Sequence, residues 1–182
     1  MKKHLLFLCI IMTACSTLYE PVMPFRNLSY SGERLLPIQE NNSEKIFRVW
    51  FNNGTSVDRI ITVSYDSLFE YQSKFQEIGI LQKKSLFRSK DIKIFNETDI
   101  TPQSGFKNFF LKIDSLNLLE YTNQVDFEYL INHQPFSLYV IEIKDKGKYN
   151  QFSFRTHFPI SLDDSTKYIN IEKLIFNEFF SE

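Results

Sequence analysis

The sequence predicts an α+β domain, in which an antiparallel β-sheet of about five to six strands, built from hairpins, is covered on one face by two helices. Three observations predict this class. Strand-like runs occur in neighbouring pairs, the turns within the pairs are too short for parallel crossovers, and two further segments have helical spacing. We expect this domain to occupy residues 46–182.

Four strand-like runs open the domain, at residues 46–51, 57–65, 68–78 and about 86–95. Asn53-Gly54 separates the first two runs, and both residues tolerate the positive φ angles of a tight hairpin turn. Asp66-Ser67 indicates a second turn. One face of the third run carries, at period two, Phe69, Tyr71, Ser73 and Phe75.

The second half of the domain contains a late hairpin between two helices. Strands at residues 136–144 and 149–156 flank a charged turn that contains Gly147. The first helix is predicted at about residues 103–114, capped by Ser104 or Thr101. The second helix has an apolar stripe of Tyr168, Ile171, Leu174, Ile175 and Phe179. Its start offers an N-cap and favourable negative charge in Asp163, Asp164 and Ser165.

The first residues of the chain have the layout of an export signal. A positive start with Lys2 and Lys3 precedes an apolar stretch at residues 5–12, and two small residues then precede Cys15. The apolar stretch is shorter than the roughly 20 residues that a membrane-spanning helix needs. Residues 1–14 are therefore predicted to be a cleaved signal peptide.

Met12-Thr13-Ala14-Cys15 resembles the lipobox of bacterial lipoproteins. The resemblance implies that Cys15 is the lipidation site and becomes the first residue of the mature protein, carrying acyl chains such as palmitate. Its thiolate is the nucleophile that this modification requires. The order of a helix, a hairpin with a Gly-Lys turn and a C-terminal helix also resembles small uncharacterised lipoproteins of Bacteroidetes. The resemblances together imply the cell envelope, on the outer membrane of a Gram-negative bacterium.

Residues 15–45 are predicted to be a lipidated cysteine followed by a flexible tether. This segment is rich in Pro, Ser, Asn and Glu, and its prolines leave no room for a helix or strand of useful length. Leu35, Leu36 and Ile38 could nevertheless dock on the domain. A tether of this kind holds a domain clear of the lipid head groups.

Composition argues against two classes of function. The chain without Lys2 and Lys3 has 19 basic and 22 acidic residues and lacks the basic clusters that grip a phosphate backbone, so no nucleic-acid partner is expected. After cleavage and lipidation no free thiol remains for a disulfide, a metal or catalysis. The 19 Phe and 9 Tyr predict a ring-filled core, although a sugar- or lipid-binding groove would also use rings.

No motif assigns catalytic, cofactor-binding or metal-binding residues. His133 and His157 lack ligand spacing, and no serine-hydrolase elbow or phosphate loop is present. Asp163-Asp164 is the only adjacent acidic pair, and helix capping explains it. A hydrolase that uses two carboxylates stays open, since their separation is set by the fold.

Three functions therefore remain as hypotheses. The first is a non-catalytic binding or interaction module, tethered to the membrane by its lipid, with an envelope protein as partner; immunity against a secreted toxin is one version. The second is an envelope hydrolase whose carboxylates share a concave pocket. The third is a carrier of a small apolar ligand, which needs an interior not filled by Phe69, Phe75, Phe152 and Phe154.

Overall fold

The computed structural model of the chain describes residues 17–20, 38–52, 58–83, 89–122, 138–155 and 162–181. The strands are β1 (Thr17–Glu20), β2 (Lys45–Asn52), β3 (Asp58–Tyr65), β4 (Tyr71–Lys83), β5 (Ser89–Asp99), β6 (Leu138–Asp145) and β7 (Lys148–Arg155). The helices are α1 (Phe106–Ser115) and α2 (Leu162–Phe179), with 3-10 turns at Ile38–Glu40 and Leu118–Glu120. The predicted α+β class, with an antiparallel sheet and two helices, is confirmed.

The sheet is assembled outward from β2. This strand pairs with β3 on one side and β6 on the other, and β7 follows β6. On the other side β4 pairs with β3, and its outer edge pairs with β5. The four-residue β1 adds to the far end of β4, where Thr17 pairs with Lys83. Six strands of at least eight residues and the short β1 therefore form one seven-stranded antiparallel sheet.

Both helices pack on the same face of the sheet. The register places Val49 of β2 between Ile61 of β3 and Ile141 of β6, and all three side chains are buried. Phe109 of α1 lies among the rings of this core and contacts Phe47 edge to face, with ring centroids 5.6 Å apart. The helices contribute to the core Phe109, Phe110, Ile113, Tyr168, Ile171 and Ile175.

Helix α1 begins later than predicted and without the predicted cap. Gly105 is its N-cap residue, with φ at +79°, and as a glycine it has no side chain to cap the helix. The predicted cap Ser104 donates its hydroxyl to Glu178 of α2 instead. At the other end Asn117 adopts a left-handed conformation, so the chain continues only as the 3-10 turn after it.

Helix α2 begins at Leu162, so Asp163 and Asp164 lie in its first turn and not at its N-cap. The predicted capping role is therefore wrong, whereas the first turn is a position where negative charge is favourable. The predicted stripe is confirmed: Tyr168, Ile171 and Ile175 are buried, and the other two stripe residues pack partly buried against the same core.

Phe69 was predicted to fill the core, but it lies in the turn between β3 and β4. The carboxylate of Asp66 accepts hydrogen bonds from the backbone N–H groups of Leu68 and Glu70, each at 2.9 Å. Phe69 has a positive φ of 58° and is 67% exposed, so it is not part of the core. The predicted alternation of side chains does not hold at Phe69, because the carboxylate of Asp66 folds residues 66–70 into a turn. The next strand begins only at Tyr71.

The segment predicted as a tether contributes two described pieces to the fold. β1 lies inside it, although we expected no strand there, and Ile38 is buried against the domain as expected. The pairing with β4 supplies hydrogen bonds that the local sequence pattern does not reveal. Cys15 and the signal peptide lie outside the described residues. Among the described helices, none is long and apolar enough to span a bilayer.

Substitution of Phe152 tests the packing of the interior. Phe152 is completely buried between Tyr121 and Tyr168, so Phe152→Ala is expected to lower the free energy of unfolding by about 3–5 kcal/mol. The matched control Phe69→Ala removes a largely exposed ring and is expected to cost less than about 1 kcal/mol. Urea unfolding followed by the fluorescence of Trp50 measures both. Equal costs would contradict the packing.

Candidate functional site

An aromatic groove lies on the helix-covered face, beside the C-terminal half of α2. Its volume is about 290 Å³, and its apolar wall consists of Phe51, Phe75, Tyr139, Ile175, Phe176 and Phe180. Phe176 is 58% exposed and Phe180 is 42% exposed, although both belong to a mainly apolar site. Sequence reasoning missed this groove, because Phe176 and Phe180 lie outside the stripe that packs on the sheet.

Two charged residues complete the aromatic groove. Arg59 of β3 donates to the carboxylate of Glu77 at 3.1 Å, and Glu172 of α2 accepts a hydrogen bond from the hydroxyl of Tyr139 at 3.1 Å. Burial and the negative charge of Glu172 raise the pKa of Tyr139, so this hydroxyl keeps its proton and remains a donor. The groove thus combines an apolar wall with fixed polar groups.

A second pocket lies on the opposite face of the sheet, and we call it the polar basin. Its volume is about 380 Å³ and it spans four strands. Its wall is formed by side chains of β2 to β5, namely Arg48, Thr62, Ser64, Gln72, Lys74, Gln76 and Glu97. Arg48 and Gln76 are at least nine-tenths buried although they are polar. No sequence motif marks these residues, because they are brought together only by strand register.

Hydrogen bonds hold the wall of the polar basin in place. The carboxylate of Glu97 accepts from Lys74 at 3.0 Å and from Gln76 at 2.7 Å. The guanidinium of Arg48 donates to Thr62 at 3.3 Å and lies 3.5 Å from Glu142. Each of the two basic groups is therefore matched by a carboxylate.

Behind Arg48 the buried carboxylate of Glu142 lies beside two aromatic side chains. The indole N–H of Trp50 donates to Glu142 at 2.5 Å, and the hydroxyl of Tyr149, which donates to Gln151 at 2.7 Å, lies 3.4 Å from the same carboxylate. Burial and the charge of Glu142 raise the pKa of Tyr149, so its hydroxyl stays protonated. These contacts fix Glu142 and, through it, Arg48.

Lys45 joins three elements at one end of the sheet. Its ammonium forms salt bridges with Asp114 at the end of α1 and with Asp145 at the end of β6. Burial alone would lower the pKa of Lys45, but the hydrogen bonds to these two carboxylates raise it above its ordinary value. Because Lys45 lines neither pocket, its role is to dock α1 against the sheet.

Glu178 joins the two helices. Its buried carboxylate accepts hydrogen bonds from the Lys112 ammonium at 2.6 Å and from the backbone N–H of Ser104 at 3.0 Å. Burial alone would raise the pKa of Glu178, but these hydrogen bonds outweigh it and lower the pKa below its ordinary value. Glu178 therefore stabilises the contact between the helices.

The candidate residues predicted from the sequence do not form a described site. Cys15, His133 and His157 lie outside the described residues, and the structure describes Asp163 and Asp164 only as backbone positions in the first turn of α2. In the ranges that the structure describes, no group of three His, Cys, Asp or Glu side chains is placed to hold a metal ion.

Comparison of the chain with known protein families, with curated proteins and with solved structures finds no match.

The pH dependence of stability tests the role of Glu178. Because its folded pKa is lowered, its stabilisation is present above the unfolded pKa of about 4.3 and is lost as the pH falls through the folded value. We therefore expect Glu178→Gln to lower the urea midpoint at pH 7 and to have a smaller effect near pH 3. The exposed Glu120→Gln serves as control. An equal effect at both pH values would contradict the assignment.

Proposed function

We propose that the chain is a lipoprotein of the cell envelope, anchored through Cys15, that binds a partner protein without catalysis. The aromatic groove carries the binding part of the proposal, because apolar side chains are left exposed there beside fixed polar groups. Protein interfaces are commonly built around such a pocket, which receives an apolar anchor residue and is bordered by polar groups. The resemblance of residues 12–15 to a lipobox supports the anchor.

The position of β1 sets how an anchored domain would be oriented. β1 begins two residues after Cys15, and Thr17 pairs with Lys83 at the last position of β4. The thirteen residues of β4 place Tyr71 roughly 40 Å from this end. An anchor at Cys15 therefore puts the Lys83 end of the sheet nearest the membrane, and the exposed Phe69 turn lies at the membrane-distal end.

The aromatic groove fits a single apolar side chain of a partner better than a freely carried ligand. Its volume of about 290 Å³ lies at the lower limit of small-molecule pockets, which hold about 300–1,000 Å³. The interior beneath it is filled, since Phe152 and Phe154 are completely buried in the core. A carrier of a small apolar ligand remains the second candidate function, and only the groove itself favours it.

The hydrolase hypothesis gains less support from the pockets. It needs two acidic residues in one concave site. In the part of the chain that the structure describes, the aromatic groove has Glu172 as its acidic lining residue and the polar basin has Glu97. Glu172 is hydrogen-bonded to Tyr139, and Glu97 is hydrogen-bonded to Lys74 and Gln76. These contacts hold the side chains of the pocket walls in place, which is a structural role.

Intact-mass analysis of the membrane fraction tests the anchor. The native chain is expected to start at Cys15 with added acyl mass, and Cys15→Ser is expected to lack the acyl chains and to leave the membrane fraction. A Ser hydroxyl cannot replace the thiolate nucleophile in lipid transfer. A soluble native chain that retains Met1 would overturn the envelope assignment.

A matched pair of substitutions tests the aromatic groove. Phe176 lines the groove and Leu111 on α1 does not, yet both side chains are 58% exposed. In pull-downs from envelope extracts, Phe176→Ser is expected to lower recovery of a partner at least about tenfold, because truncating an interface anchor costs about 2 kcal/mol or more. Leu111→Ser is expected to recover the partner as the native chain does.

Two results would count against binding of a partner protein in the groove. If both variants recover the partner equally, the partner binds elsewhere. If the native protein recovers no specific partner, and a fluorescent apolar probe instead binds the native chain but not Phe176→Ser, the carrier function is favoured.

A further inference from the structure

The buried polar side chains around the polar basin lower the stability of the fold relative to apolar side chains, so stability alone does not explain them. Arg48, Gln76 and Glu142 are all at least nine-tenths buried on a sheet face that also contains the buried apolar side chains of Ile60 and Ile78. Removing paired charges from water is energetically unfavourable, and apolar side chains of similar volume usually fill such positions with equal or better stability. Buried polar groups that lower stability in this way are commonly found at functional sites.

The chemistry of the wall limits what the polar basin can bind. Among the described residues, those that line the basin are all polar or charged, which argues against a hydrocarbon ligand. Its two basic groups, Arg48 and Lys74, are matched by the carboxylates of Glu142 and Glu97, so an anion would have to displace a carboxylate already in place. A neutral polar ligand needs no apolar wall and does not have to displace a carboxylate.

We propose that the polar basin binds a neutral ligand rich in hydroxyl groups, of the chemical class of a saccharide. Each hydroxyl of such a ligand can both donate and accept, and the wall offers both functions side by side. Arg48 and Lys74 donate, the carboxylate of Glu97 accepts, and the Gln76 amide and Thr62 hydroxyl do both. The volume of about 380 Å³ lies within the range of small-ligand pockets.

The fixed positions of these groups favour binding. Gln76 is held to Glu97 at 2.7 Å, Arg48 contacts Thr62 at 3.3 Å, and Trp50 fixes Glu142 behind Arg48. Side chains that are already ordered lose less conformational entropy when a ligand binds. This proposed site is separate from the aromatic groove, because the two lie on opposite faces of the sheet.

Saturation-transfer NMR on the full lipidated chain tests this site. The protein is held in a detergent without sugar head groups, and the probes are glucose, N-acetylglucosamine and maltose, with acetate and phosphate as anionic competitors. We expect saturation of at least one saccharide and no displacement by either anion. Thr62→Val and Gln76→Leu keep side-chain size but remove hydrogen-bonding atoms, so each is expected to weaken binding about three- to tenfold.

Two controls accompany this experiment, and three outcomes would contradict the proposal. Thermal unfolding verifies that both variants fold, and Phe176→Ser in the aromatic groove is expected to leave saccharide binding unchanged. Absence of signal from all three saccharides with the native chain would overturn the proposal. Equal binding by native chain and both variants would place the saccharide elsewhere, and displacement by phosphate or acetate would assign the basin to anions.

Discussion

The alternation of side chains along β2 is the constraint on which the rest of the structure depends. This strand pairs on both sides, so its odd and even positions define the two faces of the sheet. Phe47, Val49 and Phe51 point to the helices, whereas Arg48 and Trp50 point to the opposite face. A slip of one residue would put Arg48 under the helices and move the phenylalanines to the opposite face, beside the polar network.

The aromatic groove follows from the way α2 crosses this face. The helix buries Tyr168, Ile171 and Ile175 on the sheet, whereas Phe176 lies outside this stripe and Phe180 directly follows the last residue of the helix. Near its C-terminal end Phe176 and Phe180 therefore lie beside the core and not in it. Glu178, bonded to Lys112 and Ser104, fixes this end of α2 against α1, so the groove has rigid walls.

The opposite face of the sheet differs from the helix-covered face in the side chains that it buries. There the buried side chains are a mixture of apolar groups and a polar network, and each described charge of the network has a charged neighbour within 3.5 Å. Such a network fixes geometry at a cost in desolvation. One sheet thereby presents two chemically distinct pockets, an aromatic groove and a polar basin, whose described lining residues do not overlap.

Much of the fold could be predicted because local patterns determine it. The Lys146-Gly147 turn, in which both residues have positive φ, and the spacing of the stripe on α2 are properties of neighbouring residues, and the structure confirms both. Phe69, β1 and the cap of α1 were not predictable in this way. A side-chain carboxylate, pairing with a distant strand and a contact with Glu178 decide them.

By itself the sequence determined the α+β class, the hairpins and the two helices, because periodicity and turn chemistry act over a few residues. Only the tertiary structure decided which side chains meet in the pockets. Arg48, Thr62, Gln76 and Glu97 become neighbours through strand register, and Phe51 meets Phe180 through helix docking. No sequence spacing encodes such contacts, since they depend on how whole elements pack together.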